Sequence, residues 1–251
     1  HIGKMRLLLD IGNTHSHFGT CTKLRINRDD KMPTDDWQKK RTRKWLIDFI
    51  GKTNVDQVIV CSVVPAATRQ AMKLFREMGI NFHELTHENC GIQIDYPRPS
   101  TIGPDRLSNA RAGLDEFGGP LVVVDFGTAV TLDIVNGKGK YIGGVIAPGL
   151  SAMTDYLQSK TALLPKIQIR DPRTVIGKNT EQAMQIGAVY GYRGLVQGLI
   201  REIKSSLRIR QLSVVATGGY ASLIACDIKE ISAVRPKLTL DGLRLASNDW
   251  S

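Results

Sequence analysis

The sequence contains few cysteines and no long hydrophobic run. Its 251 residues include four cysteines, at positions 21, 61, 90 and 226, and none of them forms a CxxC pair, which argues against a zinc site or a disulfide framework. No apolar stretch approaches the ~20 residues of a membrane-spanning helix, and the first apolar run, residues 7–9, ends at Asp10. We therefore expect a cytoplasmic protein without a signal peptide or a membrane anchor, in which the cysteines are small core residues.

Two common phosphate-binding motifs are also missing, because no GxxxxGK[ST] occurs and no GxGxxG follows a predicted strand. The net charge of +10 still favours an anionic partner, such as a nucleotide, an acidic metabolite or a nucleic acid. The densest basic run, residues 39–44, lies in an amphipathic pattern with Trp37 and Leu46, and a solvated helix face explains it more simply than a DNA-binding patch. We expect binding to neither nucleic acid nor membrane.

One short phrase occurs twice in the chain. Residues 6–14 read RLLLDIGNT, and residues 121–128 read LVVVDFGT. Each apolar run is typical of a strand buried on both faces, and each ends in an aspartate, Asp10 or Asp125, followed by a glycine that permits a tight turn. Turn amides and hydroxyl groups bind phosphate oxygens, and an aspartate binds a cation. The repeat therefore predicts two similar halves that bind one polyphosphate.

Strands and helices alternate along the chain, which predicts an α/β fold. The repeat period of about 115 residues is too long for a solenoid and indicates a duplicated domain. We place the boundary at residues 118–120, which gives domains of residues 5–117 and 118–251, and we expect Met5 rather than residues 1–4 to be the native start. Helix caps are predicted at Asp35 or Asp36, at Thr180 and at Asp241.

The segment GPDR, residues 103–106, opens a predicted helix at Pro104. An acid in the first turn of a helix is ordinary capping, so Asp105 by itself has a structural explanation. The same residue can act as a general base, with Arg106 binding a carboxylate or phosphate beside it. The residues alone leave both interpretations open.

Other motifs are weaker when each is taken alone. The segments TGGY, residues 217–220, and GGVIAPG, residues 143–149, are rich in glycine at strand ends, and each indicates either a ligand-lined loop or a tight connection. His15 and His17 alternate on a predicted strand, but two histidines without further ligands are poor evidence for a metal site.

Taken together and in this order, the motifs DIGNT, GPDR, DFGTAVT, GGVIAPG, IGKNT and TGGY resemble the type III pantothenate kinase family. The resemblance extends from Met5 to the last helix. It implies two duplicated ribonuclease-H-like domains of the actin-like ATPase superfamily, with the nucleotide in the cleft between them. It also implies transfer of phosphate from ATP to pantothenate, the first step of coenzyme A biosynthesis, by a homodimer.

The resemblance also implies roles for individual residues. Asp105 is expected to be the base that accepts the proton of the pantothenate hydroxyl, Asp10 to bind Mg²⁺, and Asp125 to bind a monovalent cation, K⁺ or NH₄⁺. The pantothenate contacts implied are Tyr96, Gly103, Pro104, Asp105, Arg106 and Thr180, of which Thr180 can reach the site of the partner subunit. The ATP contacts implied are Asp10, Ile11, Gly12, Asn13, Thr14, His15, Ser16, His17, Thr128, Gly218 and Gly219.

Two alternatives stay open at this point. Some proteins that resemble this family are accessory factors in transcriptional regulation, and the basic charge would suit such a role. Other kinases of the same superfamily phosphorylate sugars or acetate. His15, Ser16 and His17 are an unusual filling of the loop after DIGNT, which bears on nucleotide affinity or preference rather than on the class of reaction. Tyr220 is bulkier and less polar than the resemblance leads us to expect after TGG.

Overall fold

A computed structural model describes residues 5–250, so the expectation about residues 1–4 lies outside the described residues. The chain folds into two compact units. Among the described residues, unit 1 comprises residues 5–116 and 237–250, and unit 2 comprises residues 117–236. The predicted second domain, residues 118–251, therefore differs from unit 2 by its last helix.

Strands and helices alternate in both units, as the sequence predicts. The strands described are β1 (Met5–Ile11), β2 (His15–Cys21), β3 (Ile26–Pro33), β4 (Val55–Ser62), β5 (Asn81–Glu84), β6 (Gln93–Ile94), β7 (Leu121–Phe126), β8 (Ala129–Val135), β9 (Lys140–Pro148), β10 (Ser213–Thr217) and β11 (Ala233–Val234). The α-helices are α1 (Arg41–Ile50), α2 (Pro65–Glu77), α3 (Pro104–Phe117), α4 (Leu150–Lys160), α5 (Thr180–Ser206), α6 (Ala221–Ala225) and α7 (Leu238–Asn248).

The sheet of unit 1 has the strand order β3-β2-β1-β4-β5. The first three strands form an antiparallel meander, while β4 and β5 run parallel to their neighbours. Leu7, Leu8 and Leu9 in β1 are completely buried, because β1 is the central strand and both of its faces are covered.

Unit 2 repeats this arrangement. Its strands follow the order β9-β8-β7-β10-β11, again an antiparallel meander followed by two parallel strands. The central strands β1 and β7 are the two halves of the repeated phrase, and Asp10 and Asp125 lie at corresponding ends of them. The predicted duplication is therefore confirmed at the level of strand order, direction and register.

The last helix, α7, packs within unit 1 rather than unit 2. Leu240, Leu243 and Ala246 are buried, and α7 lies against β1, β2 and β4. The Arg6 guanidinium in β1 donates to Ser247 Oγ at 2.7 Å. The helix belongs to unit 1 because its apolar face covers the sheet of that unit, a relation that local sequence does not encode.

Several local predictions were wrong. No strand was predicted at β3, because the residues of β3 are mostly charged and exposed and lack the apolar alternation of a half-buried strand. The N-cap of α5 is Asn179, whose side chain accepts from the Gln182 amide at 2.9 Å, so Thr180 is the first helical residue rather than the cap. Cys226 is exposed, whereas the other three cysteines are buried.

The remaining two caps also differ from the prediction. Asp35 and Asp36 lie in a short 3₁₀ helix, Thr34–Gln38, and α1 begins later, at Arg41. Asp241 lies in the first turn of α7, which begins at Leu238. Within residues 5–250, no helix has the length and apolar character to cross a bilayer.

Candidate active site

The turn after β1 carries the DIGNT motif, and a small network of polar side chains on its protein-facing side forms hydrogen bonds to it. The Gly12 amide donates to the His15 carbonyl at 3.0 Å, which closes the turn. Thr34 Oγ1 donates to the Gly12 carbonyl at 2.6 Å and lies 3.1 Å from Ser16 Oγ, and Trp37 Nε1 donates to the same Ser16 oxygen at 2.9 Å. The three side chains of this network, those of Thr34, Ser16 and Trp37, are buried. The turn is therefore held in place by a buried hydrogen-bond network.

The upper side of this turn faces solvent. Asn13, Thr14 and His15 are exposed, whereas Ile11 and Ser16 are buried. Exposed amides and hydroxyl groups on a rigid turn can bind an anion without reorganisation. The assignment of this turn as the first phosphate loop stays a prediction, and the exposed turn is compatible with it.

A row of polar side chains crosses the sheet at this end. Asp10 pairs with His17 on β2 and with Cys61 on β4, and His17 pairs with Lys31 on β3. Directly paired residues on neighbouring strands point to the same face of a sheet. Burial, together with the charge of Lys31, lowers the pKa of His17 below its usual value of 6.5, so its imidazole is neutral at pH 7.

Cys61 contacts the Asp10 carboxylate, one of the two carboxylates to which the prediction assigns a role in the reaction. Its thiol donates to Asp10 Oδ1 at 3.3 Å, and the side chain is 1% exposed. Burial, with the nearby charges of Asp10 and Asp105, raises the pKa of this thiol well above its usual value. The thiol therefore contacts the Asp10 carboxylate directly, and the charge of Asp105 acts on the same sulfur within unit 1.

The first turn of α3 positions Asp105. Its Oδ1 accepts from the Arg106 amide at 2.8 Å, and a Cβ on Gly103 would lie only 2.5 Å from the same oxygen. Burial raises the pKa of Asp105 above its usual value of 3.8, and the amide and charge of Arg106 offset part of this effect. Glycine at 103 is therefore required for the observed position of the carboxylate, which ordinary capping would not demand.

Unit 2 builds a second turn of the same kind. The Gly127 amide donates to the Ala129 carbonyl at 3.1 Å, as Gly12 does to His15 in unit 1, and Thr128 at the tip is exposed. A Cβ on Gly149 would lie 2.1 Å from the Thr128 carbonyl. The GGVIAPG segment therefore packs against this turn, and its last glycine allows the close approach.

The TGGY segment lies directly beside Asp125. Gly218 has φ +93°, and a Cβ there would lie 2.4 Å from Asp125 Oδ1, so only glycine fits. Gly219 is exposed, and Tyr220 borders a cavity of about 480 Å³ whose lining also includes Thr154, Asp155, Lys166 and Gln168. A volume of this order is within the range of small-molecule sites, roughly 300–1,000 Å³.

Two predicted substrate contacts lie on exposed segments. Tyr96 is 40% exposed in the loop after β6, and Thr180 is exposed at the start of α5. Their contacts with a substrate stay predictions. Pro104 and Arg106 lie in the first turn of α3 beside Asp105.

Sequence reasoning missed three residues of this site. Cys61 was assigned to the core because its segment is apolar. Lys31 and Thr34 belong to β3 and its end, which the sequence pattern does not predict. A signal for Cys61 was nonetheless present, since parallel strands β1 and β4 both end in polar residues at the same edge of the sheet.

The donor set suits a hard divalent cation that takes most of its ligands from a substrate. Asp10 lies at the end of β1, next to the turn whose residues 13–15 are exposed, and a cation there would offset its charge. Within residues 5–250 no group of three or more His, Cys, Asp or Glu side chains is arranged to hold a metal ion. Mg²⁺ typically uses one or two carboxylates together with phosphate oxygens and water, so the residues present fit Mg²⁺.

Comparison with known proteins gives a consistent result. The family model described as type III pantothenate kinase matches residues 6–202. A type III pantothenate kinase from Akkermansia muciniphila is 44% identical over 243 residues, covering 96% of this chain and 97% of that protein. Another from Methylacidiphilum infernorum is 42% identical over 240 residues, covering 95% of this chain and 86% of that protein.

A solved structure supports the architecture. The structure described as a conserved putative Baf family transcriptional activator from Campylobacter jejuni superimposes with a TM-score of 0.64 at 19% identity, covering 97% of this chain and 98% of that chain. A likeness at this level of identity concerns the fold alone. The fold is the two-domain fold of actin-like ATPases and sugar kinases.

Proposed function

This chain belongs to the type III pantothenate kinase family, and we propose that Asp105 is the general base of its reaction. The enzyme transfers the γ-phosphoryl group of ATP to pantothenate and gives 4′-phosphopantothenate, the first step of coenzyme A biosynthesis. In such a transfer the hydroxyl oxygen of the acceptor forms a bond to the γ-phosphorus, while the bond between that phosphorus and the bridging oxygen of ADP breaks. Catalysis depends mostly on positioning and charge stabilisation.

Asp105 accepts the proton that the pantothenate hydroxyl loses. The observation that carries this assignment is the half-buried Asp105 carboxylate, which accepts from the Arg106 amide and lies so close to residue 103 that a Cβ there would displace it from its observed position. Burial raises its pKa, which makes the carboxylate a stronger base than an exposed aspartate. Capping alone would explain neither the burial nor the demand for glycine.

Pantothenate binds beside this carboxylate in the proposal. Gly103 and Pro104 form the wall next to Asp105, and the guanidinium of Arg106 binds the substrate carboxylate. Tyr96 and Thr180 add further contacts, and both have the exposure that a binding residue needs. Arginine suits this role because its planar fork matches a carboxylate.

ATP is the co-substrate, and its phosphates bind to the two glycine turns. Residues 10–17 supply the first turn, Thr128 the second, and Gly218 and Gly219 contact the adenosine side. Asp10 would hold Mg²⁺, which supplies charge neutralisation on the phosphates when bound. The buried hydrogen-bond network at Gly12 supports this role, because backbone amides that are already fixed need no reorganisation when the phosphates bind.

Asp125 binds a monovalent cation, K⁺ or NH₄⁺, in the proposal. A carboxylate beside backbone oxygens is a donor set for hard cations, and Gly218 removes the side chain that would fill the space next to Asp125 Oδ1. The register partner of Asp125 on the neighbouring parallel strand is Thr217, whereas that of Asp10 in unit 1 is Cys61. The two partners differ in chemistry, although both carry a proton donor.

The working enzyme is a homodimer in this proposal. Among the described residues, ten large apolar side chains are exposed, and seven of them lie in unit 2, where they would be covered by a second copy. These seven are Ile146, Tyr156, Leu157, Leu163, Val175, Ile176 and Tyr190. Light scattering on the purified protein should give twice the monomer mass.

The enzyme acts in the cytoplasm without nucleic acid or membrane. The basic run supports this, because part of its charge is neutralised within the protein. Asp36 pairs with both Lys39 and Arg41, and Arg43 lies 3.3 Å from Glu77. Surface charges that are already paired contribute less to a nucleic-acid interface.

The deciding experiment counts 4′-phosphopantothenate by mass spectrometry after incubation with pantothenate, ATP, Mg²⁺ and K⁺. Asp105→Asn should lower kcat by about 100-fold or more, as expected for loss of a general base. Asp115→Asn is the matched control, because Asp115 is an exposed aspartate on the same helix. Turnover of Asp105→Asn close to that of the control would mean that another group is the base. Phosphorylation of acetate or a hexose instead of pantothenate would indicate a different kinase of the superfamily.

A further inference from the structure

We propose that Cys61 is a positioning residue, whose thiol hydrogen bond fixes the Asp10 carboxylate in the orientation that binds the magnesium–nucleotide complex. The inference rests on the proposed function, because it takes Asp10 as the Mg²⁺ ligand. It adds a residue that touches neither the nucleotide nor pantothenate in the proposal, and that the sequence pattern assigns to packing.

The position of Cys61 is set by the sheet. β1 and β4 are parallel neighbours, and Asp10 is in register with Cys61. Their side chains therefore lie on the same face, where Sγ is 3.3 Å from Asp10 Oδ1. Since Cys61 is 1% exposed, water has little access to the contact from that side.

A carboxylate needs such a partner if its orientation is to be unique. The last torsion of aspartate joins an sp³ to an sp² carbon, and rotation about it is broad rather than confined to narrow wells. A donor on Oδ1 selects one rotation. A thiol is a weak donor but also a neutral one, so it can hold the Asp10 carboxylate without adding charge to the site.

The duplicated half of the chain has a comparable residue. In unit 2, Asp125 is in register with Thr217 on β10, and Thr217 is also buried. Thus both halves have a side chain with a proton donor next to the aspartate that ends the central strand. A position needed only for packing would accept valine, which is common elsewhere in these strands.

Two substitutions separate positioning from packing. Cys61→Val keeps the side chain apolar, adds about one methyl group and removes the donor, whereas Cys61→Ser keeps a donor and removes part of the apolar volume. A packing role predicts that the serine variant is the more impaired of the two. A positioning role predicts that the valine variant binds the magnesium–nucleotide complex more weakly than the serine variant does. It predicts this even if the valine variant unfolds at the higher temperature.

The measurement is calorimetric titration of the full chain with the non-hydrolysable analogue AMPPNP, with Mg²⁺ and again with EDTA. Cys61→Val should weaken binding in Mg²⁺ by about five- to tenfold, the size of one modest hydrogen bond, and Cys61→Ser should remain within about threefold of the wild type. In EDTA all three proteins should bind alike. Cys21→Ser, a buried thiol on β2 outside the site, is the matched control and should match the wild type in both conditions.

Three results would overturn the inference. The first is that Cys61→Val binds AMPPNP in Mg²⁺ as tightly as the wild type. The second is that the valine and serine variants lose the same amount of affinity, and the third is that the valine variant loses as much affinity in EDTA as in Mg²⁺. The failure of the proposed function itself looks different, because the wild type would then show no Mg²⁺-dependent binding of AMPPNP at all.

Discussion

Replacing Gly103 by alanine tests the geometry of the base directly. The new Cβ would lie 2.5 Å from Asp105 Oδ1, and real Cβ atoms essentially never approach another heavy atom more closely than 3.0 Å. The carboxylate must therefore retreat by at least about half an ångström, since carbon–oxygen repulsion is steep at this distance. The atom that moves is the end of a side chain, so the backbone of α3 can keep its path.

The expected effect on activity is large, whereas the effect on stability is small. A misplacement of about 1 Å costs on the order of 100-fold in rate, so we expect Gly103→Ala to lower kcat by about 10- to 100-fold. Rotating one carboxylate costs about 0.5–1.5 kcal/mol in the folded state. The loss of rate is therefore not a consequence of unfolding.

The assay is steady-state formation of 4′-phosphopantothenate together with thermal unfolding. Gly137→Ala serves as the control, because Gly137 is exposed in the β8–β9 turn and a Cβ there meets nothing nearer than 3.9 Å. It should leave kcat unchanged. If Gly103→Ala keeps wild-type kcat, the observed position of Asp105 is not the one used in catalysis, and the assignment of this base fails.

Three further predictions follow from the site. Burial raises the pKa of Asp105 above 3.8, so ionising it in the folded state costs stability. This cost is absent below pH 3.8, grows as the pH rises toward the folded pKa and is complete above it. Asp105→Asn should therefore unfold at a higher temperature than the wild type at pH 7, and calorimetry should show this difference shrinking as the pH falls toward 3.8; a difference that grows at low pH would contradict the assignment. Thr34→Val removes the 2.6 Å hydrogen bond to the Gly12 carbonyl and should lower the free energy of unfolding, measured by chemical denaturation, by about 1–3 kcal/mol. It should also raise KM for ATP more than KM for pantothenate. An equal rise in both KM values would argue against a role of Thr34 in the phosphate turn. Asp125→Asn should abolish any difference between rates measured in K⁺ and in Na⁺, and a preserved preference for K⁺ would place the cation elsewhere.

The strand–helix alternation and the duplication could be predicted from sequence because both leave local signals. A strand buried on both faces must be apolar throughout, and the runs that end at Asp10 and Asp125 have this property. The turns after them need glycine for backbone reasons, and those glycines are visible in the chain. The motif order also suffices to indicate the family, which the comparisons confirm.

Edges and caps were predicted less well. β3 is an edge strand with charged, exposed side chains, and its place in the sheet depends on pairing with β2 rather than on its own pattern. Asn179 caps α5 through a bond to the Gln182 amide, and a neighbouring threonine with the same capping tendency gave a prediction that was one residue off.

The sequence by itself determined which residues have the chemistry: an aspartate at the end of each repeated strand, a Gly-Pro-Asp-Arg segment at a helix start, and glycines where backbone must pass closely. Only the tertiary structure decided which of them meet. Asp10 and Cys61 are far apart along the chain, and they come together because β4 aligns in parallel with β1. That alignment arises from strand pairing and from burial of the sheet, including the cover supplied by α7, and no local stretch of sequence specifies these long-range contacts.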